Sequence, residues 1–507
     1  MEIISSIPVY RSIVHCFGLI NGYIILKEIS VLHIINYMAI LIDMDFRGIS
    51  MFNKLKKCKT IKEIYQTLGR DFFEKVASVI LIMWCMIPVI MLTLHFINYD
   101  KDNFWFRVRY NMDSDYQMFV TILGIITLEF IIIYAIGLFV LREKSIGRSV
   151  CDFIKNEPWN LFFGILILWS VVCTLKSSDV QTSFLGSTYR YEGLKAYFYY
   201  AAIYSCAHII RDDKARKCIM NTYAGVSVLL GICLVFQNNN LFGFDRIFAY
   251  GGATVFCQFN HMGYYLNMSV MVMAGLFIAS EKMISKIVYA LGMAFQLYCL
   301  LLNNTFGAYL GAMTGLLILS VIYIIRTKSV KKMIIPVLIF VTVSVLSMSG
   351  RIRTTSGENL TKNFEVLAHD TQLIAQNADD ADRAGTGRMG MWKAGLKMVP
   401  ESPVFGYGPE MINKEYFAKY MNYTERVENE YLQYMIFLGI PGLLLYLTAF
   451  ATMIVCQLKN INKLGLITIA SAGCVAGYLV GAFAGNSMYY TAPYMYMFLG
   501  LATKRDC

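Results

Sequence analysis

About twelve apolar runs divide this 507-residue chain, near 77–98, 117–141, 159–175, 194–210, 218–236, 262–280, 287–303, 306–325, 333–348, 431–456, 465–486 and 489–502. Most approach the roughly 20 residues a helix needs to cross the hydrocarbon of a bilayer. In lipid every backbone N–H and C=O must be satisfied within its own segment, so such runs become helices packed side by side. The last run is short and is expected to tilt or end early. The pattern predicts an all-α polytopic membrane protein with about twelve transmembrane helices.

Composition agrees. With 57% apolar, 14% aromatic and 16% charged residues, and a mean hydropathy of +0.52, the chain lacks the charged surface of a water-soluble globule. A formal net charge of +11 would suggest nucleic acid in a soluble protein. Here the cations gather in short connectors, among them Lys54, Lys56, Lys57, Arg142, Lys144, Arg148, Arg211, Lys214, Arg326, Lys331, Lys459 and Lys504. That bias marks the cytoplasmic side, and no nucleic-acid partner is expected. The 13 cysteines stand singly, many inside apolar runs (Cys85, Cys173, Cys206, Cys233, Cys299, Cys474), without a Cys-x-x-Cys pair. They read as small core residues.

Four regions follow. Residues 1–76 form an N-terminal cytoplasmic or interfacial extension, whose first 50 residues are broken by Asn21, Lys27, Glu28, His33 and Asn36 and have no cleavable-signal layout. Residues 77–348 hold helices one to nine, 349–430 a long external loop with short helices, and 431–507 the last three helices and a short cytoplasmic tail. Both ends of the core are then cytoplasmic. The long loop nearly cancels its own charge, so it is no polybasic lipid-binding arm.

Polar chemistry gathers in the external stretches. Glu428-Asn429-Glu430 precedes Tyr431-Leu432 and an apolar run containing Gly439, Pro441 and Gly442. These residues are expected on the first turn of a span, where carboxylates also complement the helix dipole. In Ser183-Phe184-Leu185-Gly186-Ser187-Thr188-Tyr189-Arg190-Tyr191-Glu192-Gly193-Leu194, two glycines and small hydroxyls suit a bent loop that presents a guanidinium. Arg190 either anchors the helix end, paired with Glu192, or takes phosphate oxygens with its fork geometry. Asn260 and His261 stand at the mouth of another span after the pair Gly251-Gly252. His261 is either a hydrogen-bonded cap or a base. Arg388, Trp392 and Gly395 or Leu396 fall at helical spacing and predict a short amphipathic helix ended by Pro400 and the turn Pro403-Val404-Phe405-Gly406-Tyr407-Gly408-Pro409.

Three of these motifs resemble the O-antigen ligase and polymerase family: the ionisable residue and Asn before Gly439 and Gly442, the Gly186, Arg190, Gly193-Leu194 pattern, and Arg388, Trp392 followed by the Phe-Gly-Tyr-Gly-Pro turn. The resemblance covers roughly residues 77–500. It implies a GT-C-like membrane glycosyltransferase that moves a glycan from an undecaprenyl pyrophosphate carrier to a glycan, lipid or protein acceptor. The reaction would take place on the external face of the bacterial cytoplasmic membrane, without cofactor or metal. The chain departs from the family at Glu428, where His is usual, and at Asn303-Asn304-Thr305, where many relatives carry Ser-Arg.

On that resemblance Arg190 and Arg388 bind the pyrophosphate, whose charge grows as it leaves. Glu428 is the base; His261, which the resemblance does not supply, is the alternative. Asn429, Asn260, Trp392 and Tyr191 contact sugar or acceptor, and Tyr189 and Tyr431 offer further rings for stacking. A free glutamate has a pKa of about 4.3, so Glu428 would serve best if burial and its neighbours Glu425 and Glu430 raised it, against Arg426. Polymerase and ligase differ only in acceptor, and Lys-, Ile- and Asn-rich usage leans towards a capsule or exopolysaccharide polymerase. Two alternatives stand: a secondary transporter, against which Glu129 is the only clear mid-span carboxylate and no repeated halves are visible, and a non-catalytic scaffold of a polysaccharide export pathway.

Overall fold

The computed structural model of the protein describes residues 54–97, 104–142, 145, 148, 154–187, 190–241, 252–256, 258–354, 356–376, 379–415 and 426–503. The expected extension at 1–50, Tyr189, Gly251, Glu425 and Lys504 lie outside them. Among the described residues there are helices and no strands. We label the helices α1 (Ile61–Ile97), α2 (Phe104–Leu141), α3 (Trp159–Lys176), α4 (Val180–Leu185), α5 (Leu194–Ile209), α6 (Asp213–Asn238), α7 (Phe259–Ile278) and α8 (Met283–Asn303). They continue as α9 (Phe306–Thr327), α10 (Ile334–Met348), α11 (Leu360–Ala375), α12 (Arg388–Met398), α13 (Glu430–Lys459), α14 (Leu466–Gly481) and α15 (Ala492–Ala502).

Over their described residues the twelve apolar runs are largely helical. Among the described residues nine helices are long and apolar enough to cross a membrane, while the apolar α10 and α15 are shorter. The protein is a multi-pass membrane protein.

The chain divides into two compact units. Among the described residues the smaller comprises 54–76 together with 135–142. Its described part opens on a capping box: the Glu63 N–H donates to Thr60 Oγ1 at 3.2 Å while the Lys59 N–H donates to Glu63 Oε2 at 2.7 Å. Tyr65 stacks on Phe73 with ring centroids 5.9 Å apart, and its ring lies where a side chain on Gly137 would stand.

In the larger unit α7 is the buried axis, covered along nearly its whole length. Small residues let its neighbours close in. Gly311 and Gly315 of α9 face Gly477 and Gly473 of α14 so tightly that a Cβ on Gly311 would lie 2.3 Å from the Gly477 carbonyl oxygen. This is the small-residue contact typical of helices in lipid, where dispersion rather than hydrophobicity drives association. Asn267 of α7 donates to that same Gly477 carbonyl at 2.9 Å. At one end of the bundle the fully buried Arg216 ties α6 to Thr468 Oγ1 (3.0 Å) and to the Leu501 carbonyl. At the other end Ser187 meets Glu410, Asn304 meets Asn363, and Phe483, Asn486 and Ser487 meet Trp392, Glu428 and Arg426.

The run from Leu432 to Cys456 reads as one continuous span, but α13 is broken. Gly439 has φ 70° and ψ 178°, a conformation open to glycine, and Pro441 follows it without an N–H to donate. The break frees carbonyls that lipid cannot satisfy. The turn 403–408 meets the need: Tyr407 and Gly408 N–H groups donate to the Ile436 and Phe437 carbonyls, each at 2.9 Å, and the Ile440 N–H donates to the Pro403 carbonyl at 2.8 Å. Trp169 of α3 donates to the Leu438 carbonyl at 2.8 Å. Non-helical backbone at membrane depth is tolerated because protein covers it.

Candidate active site

The broken helix aims its first half, Glu430 to Leu438, at the loop end of the bundle. Asn429 is its N-cap, with Oδ1 accepting from the Leu432 N–H at 3.0 Å. Glu428 therefore lies one residue before the cap rather than on the first turn. Its backbone is in the left-handed region, φ 48°, which is strained for a residue with a Cβ. The half-buried Glu428 side chain accepts from Asn486 Nδ2 at 2.9 Å, and its carbonyl accepts from Trp392 Nε1 at 3.4 Å. Glu430 turns inward, is 1% exposed and accepts from the Tyr446 and Tyr478 hydroxyls at 2.9 and 3.3 Å.

Two residues before Glu428, Arg426 is buried against Glu410, with Nη2 to Oε1 at 2.5 Å. Arg426 Nη1 also donates to the Ser487 carbonyl at 2.8 Å. The second oxygen of Glu410 accepts from Ser187 Oγ at 2.5 Å. Glu410 thus joins the loop carrying Arg190 to the segment carrying Glu428. It too is left-handed, φ 62°, as is Tyr191 at 54°.

The Arg190 loop closes on itself at its two glycines. A Cβ on Gly193 would lie 2.3 Å from the Gly186 nitrogen, so only hydrogen atoms fit where the strands of the loop cross. Ser187 O accepts from the Arg190 and Tyr191 N–H groups at 3.1 and 3.0 Å, curling the tip. Arg190 Nη1 lies 3.4 Å from Met488 Sδ. Glu192 is buried and accepts from the Tyr200 hydroxyl. Burial, with the carboxylates of Glu410 and Glu430, pushes Glu192 up to about 7 against the pull of Arg426 and Tyr200.

Arg388 opens α12 as expected. Its Nη1 donates to the Gly385 carbonyl at 3.1 Å and to Thr386 Oγ1 at 2.9 Å. The expected amphipathic helix packs through Gly395, where a Cβ would crowd Val427, Leu432 and Ile436, while Leu396 faces out. Trp392 meets Phe483 edge-on at 5.3 Å.

The first turns of α7 complete the assembly. Asn303 Nδ2 holds the carbonyls of Gly252 and Phe259 at 2.7 and 3.0 Å, fixing the start of the helix. Asn260 and His261 are both buried. His261 faces Tyr490, ring centroids 5.5 Å apart, and neither of its nitrogens has a hydrogen-bond partner among the described residues. It lies in the field of Arg190 and Arg426. One turn on, the Tyr264 hydroxyl lies in the field of Glu428, Arg388 and Glu430. Tyr191 approaches Tyr489 at 6.2 Å, and Tyr431 donates to the Leu479 carbonyl at 2.7 Å.

Glu410, Asn486 and Ser487 carry no role in the reading from sequence, and Arg426 enters there only as a neighbouring charge. The signal available for the second and third was the polar Gly485-Asn486-Ser487 step between two apolar runs.

Many helices long enough to span a bilayer, with a long loop segment folded over a buried polar cluster at one end, define a multi-pass membrane protein built around a site at that end. Within this class, residues 291–447 match the family model for O-antigen ligase. The match spans 157 of 507 residues, from α8 across the Gly439 break in α13. Over those residues the chain is similar to the O-antigen ligase family. No curated protein matches the chain.

Proposed function

We propose that the protein is a membrane glycosyltransferase that moves an undecaprenyl-pyrophosphate-linked oligosaccharide onto an acceptor on the external face of the bacterial cytoplasmic membrane. What supports this reading is that one loop touches three of the candidates, with Asn486 on Glu428, Met488 beside Arg190 and Tyr490 facing His261, while Trp392, one turn beyond Arg388, reaches the Glu428 carbonyl, in a chain whose residues 291–447 match the O-antigen ligase family. In this reading the acceptor hydroxyl gives its proton to Glu428, or to His261, as its oxygen bonds to the anomeric carbon. The bond from that carbon to the pyrophosphate oxygen breaks, and its electron pair leaves with the pyrophosphate. Arg190 and Arg388 stabilise the charge that develops there. Asn486 holds one oxygen of Glu428 and thereby orients the carboxylate. Asn429, Asn260, Trp392 and Tyr191 border the path for sugar and acceptor.

The test is transfer by purified protein in lipid, supplied with an undecaprenyl-pyrophosphate oligosaccharide of the host's surface-polymer pathway and with candidate acceptors. Wild type should consume the substrate, while Arg388→Ala, Arg190→Ala and Glu428→Gln should lose most of that transfer. A product ladder on the carrier identifies a polymerase; product on an added acceptor identifies a ligase. Transfer unaffected by Glu428→Gln moves the base to His261. Intact substrate in every sample overturns the proposal.

A further inference from the structure

α11 leaves the bundle at the end of a span and is amphipathic. Leu360, Phe364, Leu367, Thr371 and Ile374 fall on one face at helical spacing, while Lys362, Glu365, His369 and Gln372 fall on the other. The start of the apolar face rests on protein. The Leu360 N–H donates to Ser347 Oγ at 3.2 Å and Thr361 Oγ1 to the Met348 carbonyl at 2.9 Å. Asn363 Nδ2 donates to Asn304 Oδ1 at 2.7 Å, and Phe364 meets Phe306 edge-on at 5.1 Å.

Cover then runs out along the same face. Leu360 is 1% exposed, whereas Leu367 is 45% and Ile374 39% exposed. The first turn is held at the ends of α8, α9 and α10, and the later residues of that face lack such cover among the described residues. What lies there is indicated by α10. Its stripe Leu338, Val341, Val345 and Met348 is apolar and exposed, the character of a surface that meets lipid, and α11 is fastened to its last residue.

We infer that the second half of α11 docks on the bilayer, with Leu367 and Ile374 inserted at the boundary between headgroups and acyl chains. The opposite face carries both signs of charge, so burial of apolar area rather than attraction to anionic lipid drives the contact. The same helix reaches the candidate site. Asp370 Oδ2 accepts from the Gly385 N–H at 2.8 Å, and the Gly385 carbonyl and Thr386 hydroxyl in turn receive Arg388. Contact with the bilayer surface is thereby coupled to the turn that seats Arg388. The docking stands whether or not the proposed transfer is correct.

The test places a photoreactive diazirine residue singly at positions 367, 374, 365 and 372 of the full chain in phospholipid nanodiscs. Crosslinking to phospholipid should be several-fold greater from 367 and 374 than from 365 and 372. Equal lipid crosslinking from the two faces, or crosslinks from 367 and 374 only to protein, would overturn the inference. Hydrogen exchange on the unmodified protein gives a check free of substitutions: amides of 366–375 should exchange more slowly in nanodiscs than in a short-chain detergent. Identical exchange in both would count against docking.

Discussion

Arg426 and Glu410, both almost fully buried, form an ion pair 2.5 Å long at the junction of two loops. Neither charge is left to the pair alone. The Ser487 carbonyl accepts a hydrogen bond from Nη1 of the guanidinium, and Ser187 donates to the other carboxylate oxygen, which is what a buried pair needs to offset its desolvation. Removing one partner leaves the other charged and uncompensated. Glu410→Ala and Arg426→Ala are each expected to cost roughly 3–5 kcal/mol, read as a fall in melting temperature in detergent. The double variant should be less unstable than the sum of the singles, because no orphaned charge remains.

The break in α13 makes a second expectation. A Cβ on Gly439 would lie 2.0 Å from the Val404 carbonyl oxygen, at a φ of 70°. Gly439→Ala should therefore push the 403–408 turn off the freed carbonyls and destabilise the protein by more than about 2 kcal/mol. Gly225 of α6 has nothing within 4 Å of its Cβ position, and Gly225→Ala should be neutral or slightly stabilising in the same melt. Equal effects would mean that the turn does not support the break.

Glu428 is positioned through Asn486, and its role separates from fold by kinetics. If Glu428 accepts the proton, Glu428→Gln lowers kcat by roughly 10²- to 10⁴-fold with KM changed little and the melting temperature kept. Asn486→Ala loses one hydrogen bond to a charged group, about 1.5–3 kcal/mol, and should cost on the order of tenfold or more in kcat. The transfer assay in lipid checks both, with melting curves to confirm folding.

These expectations differ in how far sequence could anticipate them. The helices were legible because lipid penalises any unsatisfied backbone, so apolar runs had one fate. The loop motifs were legible where local chemistry dictates shape: Gly186 and Gly193 did mark a closed turn, and Arg388 to Leu396 did form a short helix. The break at Gly439 was visible only as Gly and Pro within an apolar run, since the 403–408 turn that stabilises it lies over thirty residues earlier. Glu410 and Arg426 read as ordinary loop charges, because the groups that hydrogen-bond them, Ser187 and the Ser487 carbonyl, are distant in the chain. Glu192 next to Arg190 invited a local pair, yet its carboxylate is taken by Tyr200 of α5.

Glu192 also sets a pH dependence. Burial lifts it to about 7 from 4.5, so between these values the folded protein keeps a proton that the unfolded chain has lost. Stability then falls as pH rises through roughly 4.5 to 7 and levels off above, because above 7 folding must bury the ionised carboxylate. The size is on the order of 3 kcal/mol. Arg426 and Tyr200 favour the ionised form, and Glu410 and Glu430 oppose it. Glu192→Gln fixes the neutral state and should flatten this slope, making the variant relatively more stable than wild type at pH 8 than at pH 5. Melting temperatures of the two proteins at both pH values decide the matter: parallel slopes would show that Glu192 is ionised throughout the window, its charge balanced by Arg426.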